Sequence, residues 1–150
     1  MFTEPLAGWR SAHALPQRRK VDWAHKIKWL LDEVYPTAKK VVLVMDNLNT
    51  HKTSSLYETF APEEAFRLSQ RLEIHYTPKH GSWLNIAEIE LSSLELQCLG
   101  KRRIPSIDLL NAELDAWSTN RNLLQKGVNW QFTSSDARIK LRHLYPVVCF

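Results

Sequence analysis

Val41 to Met45 are five apolar residues in a row, and the six that follow, Asp46 to His51, include an Asp, two Asn, a Thr and a His. An unbroken apolar run of this length predicts a strand buried on both faces, which places the polar cluster at its carboxyl end. In open α/β sheets that end is where ligands bind. Upstream, Asp22 is placed to cap a helix in which Trp23, Ile27, Leu30, Leu31 and Val34 form one stripe. His25, Lys26, Lys28, Asp32 and Glu33 fall outside the stripe, and Pro36 ends the pattern.

The remaining pattern extends the same alternation. The opening "FTEPLAGWRSAHAL" has no helical period and carries Pro5 and Gly8, which predicts two short strands around a turn. "TSSLYETFAPEEAFRLSQRL" predicts two short helices broken at Pro62, and "LEIHYT" a second strand ending near Pro78. Leu84, Ala87, Leu91, Leu94 and Cys98 then repeat in steps of three and four until Gly100, as on one face of a helix. A further helix runs from a Ser106 cap through Ile107, Leu110, Leu114 and Trp117. A last one starts near Thr133 or Ser134 and stops before Pro146. Helix, strand, helix, strand is an α/β order, and 150 residues suit one domain with a single core.

Composition narrows the function classes. A net charge of +4 and a pI near 9.2 favour an anionic partner, weakly by themselves. The cations cluster, however, as Arg18-Arg19-Lys20, Lys39-Lys40, Lys101-Arg102-Arg103 and Arg138 with Lys140, Arg142 and His143. Cys98 and Cys149 make neither a metal-ligand spacing nor a disulfide framework, and no signal-peptide core or membrane-length apolar run is present. The expected location is the cytoplasm, at the nucleoid when bound to DNA. The 4 glycines match neither a phosphate loop nor a dinucleotide fingerprint, and no nucleophile elbow occurs.

The carboxylates carry the chemistry. Asp46 at a strand end and Glu88 early in a helix could meet at one rim and hold Mg²⁺, which takes one or two carboxylates and keeps positions for water and phosphate. Each also has an ordinary structural use. Asp46 could bond a turn backbone, and Glu88 could close a capping box with Asn85 as N-cap. Glu90 lies about 200° round the helix from Glu88 and cannot face the same ion, while Glu95 shares its face but sits roughly 10 Å further along. His51 is placed to orient a ligand or contact phosphate, and His75 reads as a structural or surface residue. In "TPKHGSW", Lys79 and His80 are candidate DNA contacts, as are Lys101, Arg102 and Arg103. Trp9, Trp117 and Trp130 could stack on bases, although aromatics beside helical stripes more often fill cores.

These residues carry a resemblance. "VLVMDNLNTH" is similar to the hydrophobic strand and D-N-x-x-x-H of mariner-type DDE/D transposases, in the branch found in bacterial insertion sequences. "YTPKHGSWLNIAEIE" is similar to the family's Y-T-P/S loop leading to L-N-x-x-E. "EPLAGWR" and "NWQFTSSDARIKLRHLYP" also resemble flanks of that branch, extending the likeness to about Pro146.

The resemblance implies an RNase H-like catalytic domain over residues 1–146 with a tail over 147–150. It also implies two Mg²⁺ or Mn²⁺ ions, and cutting and joining of DNA by water and then a freed 3′-OH, at transposon ends and TA targets. By motif, Asp46 and Glu88 are the second and third metal-binding acids, with Asn47, His51 and Asn85 in support. The family's first Asp lies on a strand upstream of the segment similar to "EPLAGWR", with a helix-turn-helix further upstream. Neither is found in these 150 residues.

The expectation is therefore a transposase catalytic portion, truncated at the start of its fold, that works when an upstream segment supplies the first acid, with a homodimer as the candidate assembly. Such a chain would be the second product of a gene divided between reading frames, or a decayed remnant. The competing expectation is an inactive DNA-binding or assembly remnant. A small-molecule phosphohydrolase is a weaker third. Lack of a first strand predicts an exposed sheet edge or core face and poor solubility.

Overall fold

The computed structural model describes residues 1–46, 51–77, 86–124, 127–129, 131–140 and 142. The chain opens with a hairpin. β1 (Phe2–Glu4) pairs antiparallel with β2 (Trp9–Ser11) around a turn in which Gly8 takes φ 68°, a conformation glycine adopts without steric cost. These are the two short strands expected around Pro5 and Gly8. Helix α1 (Lys20–Trp29) follows and continues into a π-helical turn at Leu30–Val34.

The expected cap shifts by three residues. Arg19 is the N-cap of α1, and Asp22 sits inside the first turn. There it accepts the Arg19 backbone N–H at 2.9 Å and the Arg19 guanidinium at 3.1 and 3.2 Å. A carboxylate at this position satisfies a free helix-end donor and favours the positive end of the helix dipole.

Strand β3 (Val41–Met45) leads to α2 (Ser54–Thr59), α3 (Pro62–Gln70, with Pro at its start) and β4 (Leu72–Tyr76). β3 and β4 pair in parallel from Val41 opposite Leu72 to Met45 opposite Tyr76. Parallel pairing requires a crossover, and α2 and α3 provide it. The inner faces of both ribbons rest on one core of Ala24, Ile27, Leu31, Leu56, Ala65 and Leu68, against which Phe2, Val41, Leu43 and Leu72 pack. Burying each of the larger aliphatic side chains contributes about 1.5–3 kcal/mol.

The expectation that β3 is buried on both faces fails. Its side chains alternate, with Val42 60% and Val44 53% exposed. Helices cover the inner face alone, and β3 pairs only with β4 among the described residues. Among the described residues, the apolar run thus has one face and one edge without cover.

A second core of Ala12, Leu94, Cys98, Leu114 and Trp117 joins β2 to the later helices. These are α4 (Ile86–Leu94), a second π-helical turn (Glu95–Leu99) ended at Gly100, and α5 (Ile107–Leu123), whose Ser106 cap accepts the Leu109 N–H at 3.2 Å. Asn111 and Asn122, about three turns apart on one face of α5, each clip a backbone. Asn111 bonds both polar groups of Ala14, at 2.8 and 3.2 Å, and Asn122 both of Arg10, at 2.9 Å each. Helix α6 (Ser134–Lys140) begins where expected, while the expected tail over 147–150 lies outside the described residues.

On α4 the expected stripe is only partly right. Leu94 and Cys98 are buried, but Leu91 is 48% exposed and the inward position is taken by Glu90. Buried ion pairs with Arg10 and Arg121 make a carboxylate acceptable there, so hydrophobicity alone does not mark the buried face.

Candidate active site

Four acids line one cleft of about 990 Å³: Glu4 of β1, which accepts the Tyr35 hydroxyl at 2.7 Å, Asp22 of α1, which accepts the Arg19 guanidinium, and Asp46 and Glu88. The cleft walls include β1, the outer valines Val42 and Val44 of β3, and the start of α4. Asp46 is fixed by the strand ladder, which extends one bond past Met45 through the Thr77 N–H to the Met45 carbonyl at 2.9 Å. Its side chain is 44% exposed. Glu88 is exposed in the first turn of α4, where the helix dipole favours negative charge.

His51 joins this site. Its Nδ1 lies 3.0 Å from Asp46 Oδ1, its ring stacks on Trp23 at 6.0 Å and 25°, and its carbonyl accepts the Tyr76 hydroxyl at 2.8 Å. Strand end, following loop and α1 are thereby tied together around the Asp46 carboxylate. Asn47, Lys79, His80 and Asn85 lie outside the described residues.

The other expected residues divide. Lys101, Arg102 and Arg103 are exposed and away from the cleft, and Arg102 is held by Glu113 at 2.7 and 3.1 Å and by the Cys98 carbonyl at 3.1 Å. Glu95 is exposed and does not line the cleft. His75 is a surface residue beside Glu73, at 2.9 Å. Trp117 is core, its indole N–H donating to Gln97 at 3.1 Å, which removes it as a base-stacking platform, and Trp130 lies outside the described residues.

Sequence reading missed the cationic side of the cleft, where Arg18, Arg19, Lys26 and His13 stand among the lining residues. Burial lowers the His13 and Lys26 pKa values, and Lys26 lowers His13 further. The Arg18-Arg19 pair was a visible signal; His13 and Lys26 gave none, because only the tertiary fold brings them to the cleft wall. Trp23 likewise read as one member of an apolar stripe.

Asp46 and Glu88 are hard oxygen donors, partly open to solvent, which fits an ion that keeps water and phosphate oxygens in its remaining positions. Among the described residues no group of three or more His, Cys, Asp or Glu side chains converges to hold an ion. The chain offers at most part of a ligand set in those residues.

The geometry thus defines a mixed α/β domain with a carboxylate-lined cleft at the carboxyl end of a parallel strand, in which Asp46 and Glu88 are the acids the sequence motifs single out. A family model described as DDE superfamily endonuclease matches residues 3–111, and the chain belongs to that family. The family belongs to the transposase and nuclease class and implies DNA as the substrate. No curated protein and no solved structure matches the chain. No helix among the described residues is long and apolar enough to cross a membrane.

Proposed function

We propose that this chain is the catalytic portion of a mariner-type insertion-sequence transposase with an RNase H-like fold. It would cut and join DNA once a polypeptide segment outside these 150 residues completes its acidic site. The observation that carries this reading is the shared cleft: Asp46 and Glu88, from separate elements, face one space whose walls also include the uncovered side of β3.

The same cleft supports the idea of a completing strand. Phe2, Thr3 and Glu4 of β1 and Val42, Leu43 and Val44 of β3 line it, while β1 and β3 belong to separate two-stranded sheets resting on one core. One extended segment between these strands would pair with the open edge of β3 and join the ribbons into a five-stranded sheet. A strand running parallel to β3 would end beside Asp46, where a third acid belongs.

Asp46 and Glu88 would hold the metal, with His51 orienting Asp46. Bound Mg²⁺ ions activate the attacking oxygen and stabilise the leaving oxygen of the phosphodiester. The cleft residues meanwhile hold the scissile phosphate and its attacker in one geometry, an effect separate from the metal's charge. Transposon ends, a TA-containing target and a dimeric assembly complete the proposal.

The test is Mn²⁺-dependent nicking of transposon-end DNA by the chain joined to its upstream segment. Asp46→Asn and Glu88→Gln should each abolish it. Undiminished nicking in both variants overturns the site, and strong nicking by the 150-residue chain alone overturns the need for a completing segment.

A further inference from the structure

Glu88 and Glu90 stand on opposite sides of α4, one lining the cleft and the other buried at 4% exposure. Three elements meet at Glu90. Arg10 of β2, itself 1% exposed, places Nε 2.9 Å from Glu90 Oε2. Arg121 of α5 donates from one terminal nitrogen to both Glu90 oxygens, at 3.2 and 3.3 Å. Each arginine is anchored in turn. The Arg10 backbone is clipped at both polar groups by Asn122, and Arg121 lies over the Trp117 ring at 5.4 Å and donates to Gln97 at 3.2 Å.

Further along the helix that begins as α4, Cys98 in the core and Gln97, which accepts the Trp117 indole N–H at 3.1 Å, hold the far end, and Glu90 is the buried residue nearest Glu88. The buried residues of α4 itself are Glu90 and Leu94, one turn apart, while Ile89 and Leu91 are 49% and 48% exposed. Leu94 makes apolar contacts, which are non-directional and tolerate a turning helix. A carboxylate ion-paired to Arg10 of β2 on one side and hydrogen-bonded by Arg121 of α5 on another is held from two directions. One residue's worth of rotation, about 100°, would swing Glu88 away from Asp46.

We infer that Glu90, clamped between Arg10 and Arg121, is a positioning residue that fixes the rotation of α4 and so holds Glu88 towards Asp46. This rests on the reading of Asp46 and Glu88 as one site. It assigns to a buried ion cluster the task of setting the gap between the two acids.

The experiment reads that gap without metal or DNA. Asp46→Cys and Glu88→Cys are introduced together and linked by a short flexible bis-maleimide, and the linked peptides are quantified by mass spectrometry against time. The pair is compared in the otherwise unaltered chain, with Glu90→Leu added, and with Arg121→Lys added. Glu90→Leu keeps an apolar filling at the buried position. Arg121→Lys keeps the charge but loses the rigid fork, and serves if the first variant does not fold.

Both variants should retain the circular dichroism of the parent and link at least tenfold more slowly. A folded variant that links at the parent rate overturns the inference, as does a parent in which positions 46 and 88 do not link. Undiminished nicking by the completed enzyme in both Asp46→Asn and Glu88→Gln, with these linking results intact, would count against the catalytic reading alone.

Discussion

The Nδ1 of His51 lies 3.0 Å from Oδ1 of Asp46, and the His51 ring is stacked on Trp23. The Trp23 ring restrains the imidazole, and the imidazole restrains the carboxylate, so the orientation of Asp46 is set from α1 as well as from β3. Outer partners of this kind typically change metal affinity about 10–100-fold when removed. His51→Ala should weaken Mn²⁺ binding at Asp46 by that factor, read by electron paramagnetic resonance titration. An unaltered affinity would reduce His51 to a surface contact.

Acid should loosen the junction of α1 and α3. Asp32 and Glu64 are each bonded by Arg67 and Lys28, and the Arg67 bonds are the larger cause holding both carboxyls below their ordinary range, Glu64 at about 2. A depressed carboxyl contributes stability that is full above its unfolded pKa and is lost as pH falls through the folded one. For Glu64 that window runs from about 4.5 down to about 2. Urea midpoints should fall across it, and Arg67→Met should flatten the fall; an equally steep fall in that variant would place the acid sensitivity elsewhere.

The Ser106 cap gives a local stability prediction. Its side chain satisfies the Leu109 N–H at the start of α5, and such a cap contributes about 0.5–2 kcal/mol. Ser106→Ala should lower unfolding free energy by that amount, while Ser106→Asp should stay near the parent. Equal losses in both would show that the cap bond is not what Ser106 contributes.

The outer face of β3 gives the reverse case. Val42 and Val44 are more than half exposed, so Val42→Lys with Val44→Lys should leave stability within about 0.5 kcal/mol and raise solubility. The same pair should weaken association with a completing strand, because that strand's side chains on the cleft face would pack beside two lysines instead of two valines. Normal association of the double variant, measured by titration with the upstream polypeptide, would place the missing strand elsewhere.

The sequence determined most of the elements and where in them Asp46 and Glu88 stand. Pro62, the Ser106 cap, Gly100 and the apolar runs mark boundaries through local backbone and capping chemistry, which depends on near neighbours. The same local order marked Asp46 at a strand end and Glu88 in a first helical turn. Only the tertiary structure decided that β3 has an uncovered face, that Glu90 and not Leu91 turns inward, and that His13, Lys26 and Trp23 stand around the cleft. Those features depend on partners far away in the chain. Arg10 and Arg121 lie 80 and 31 residues from Glu90, and no periodicity in the sequence around Glu90 records that they meet it. Burial of an apolar side chain follows from its own chemistry, but burial of a charge depends on what the fold brings opposite it.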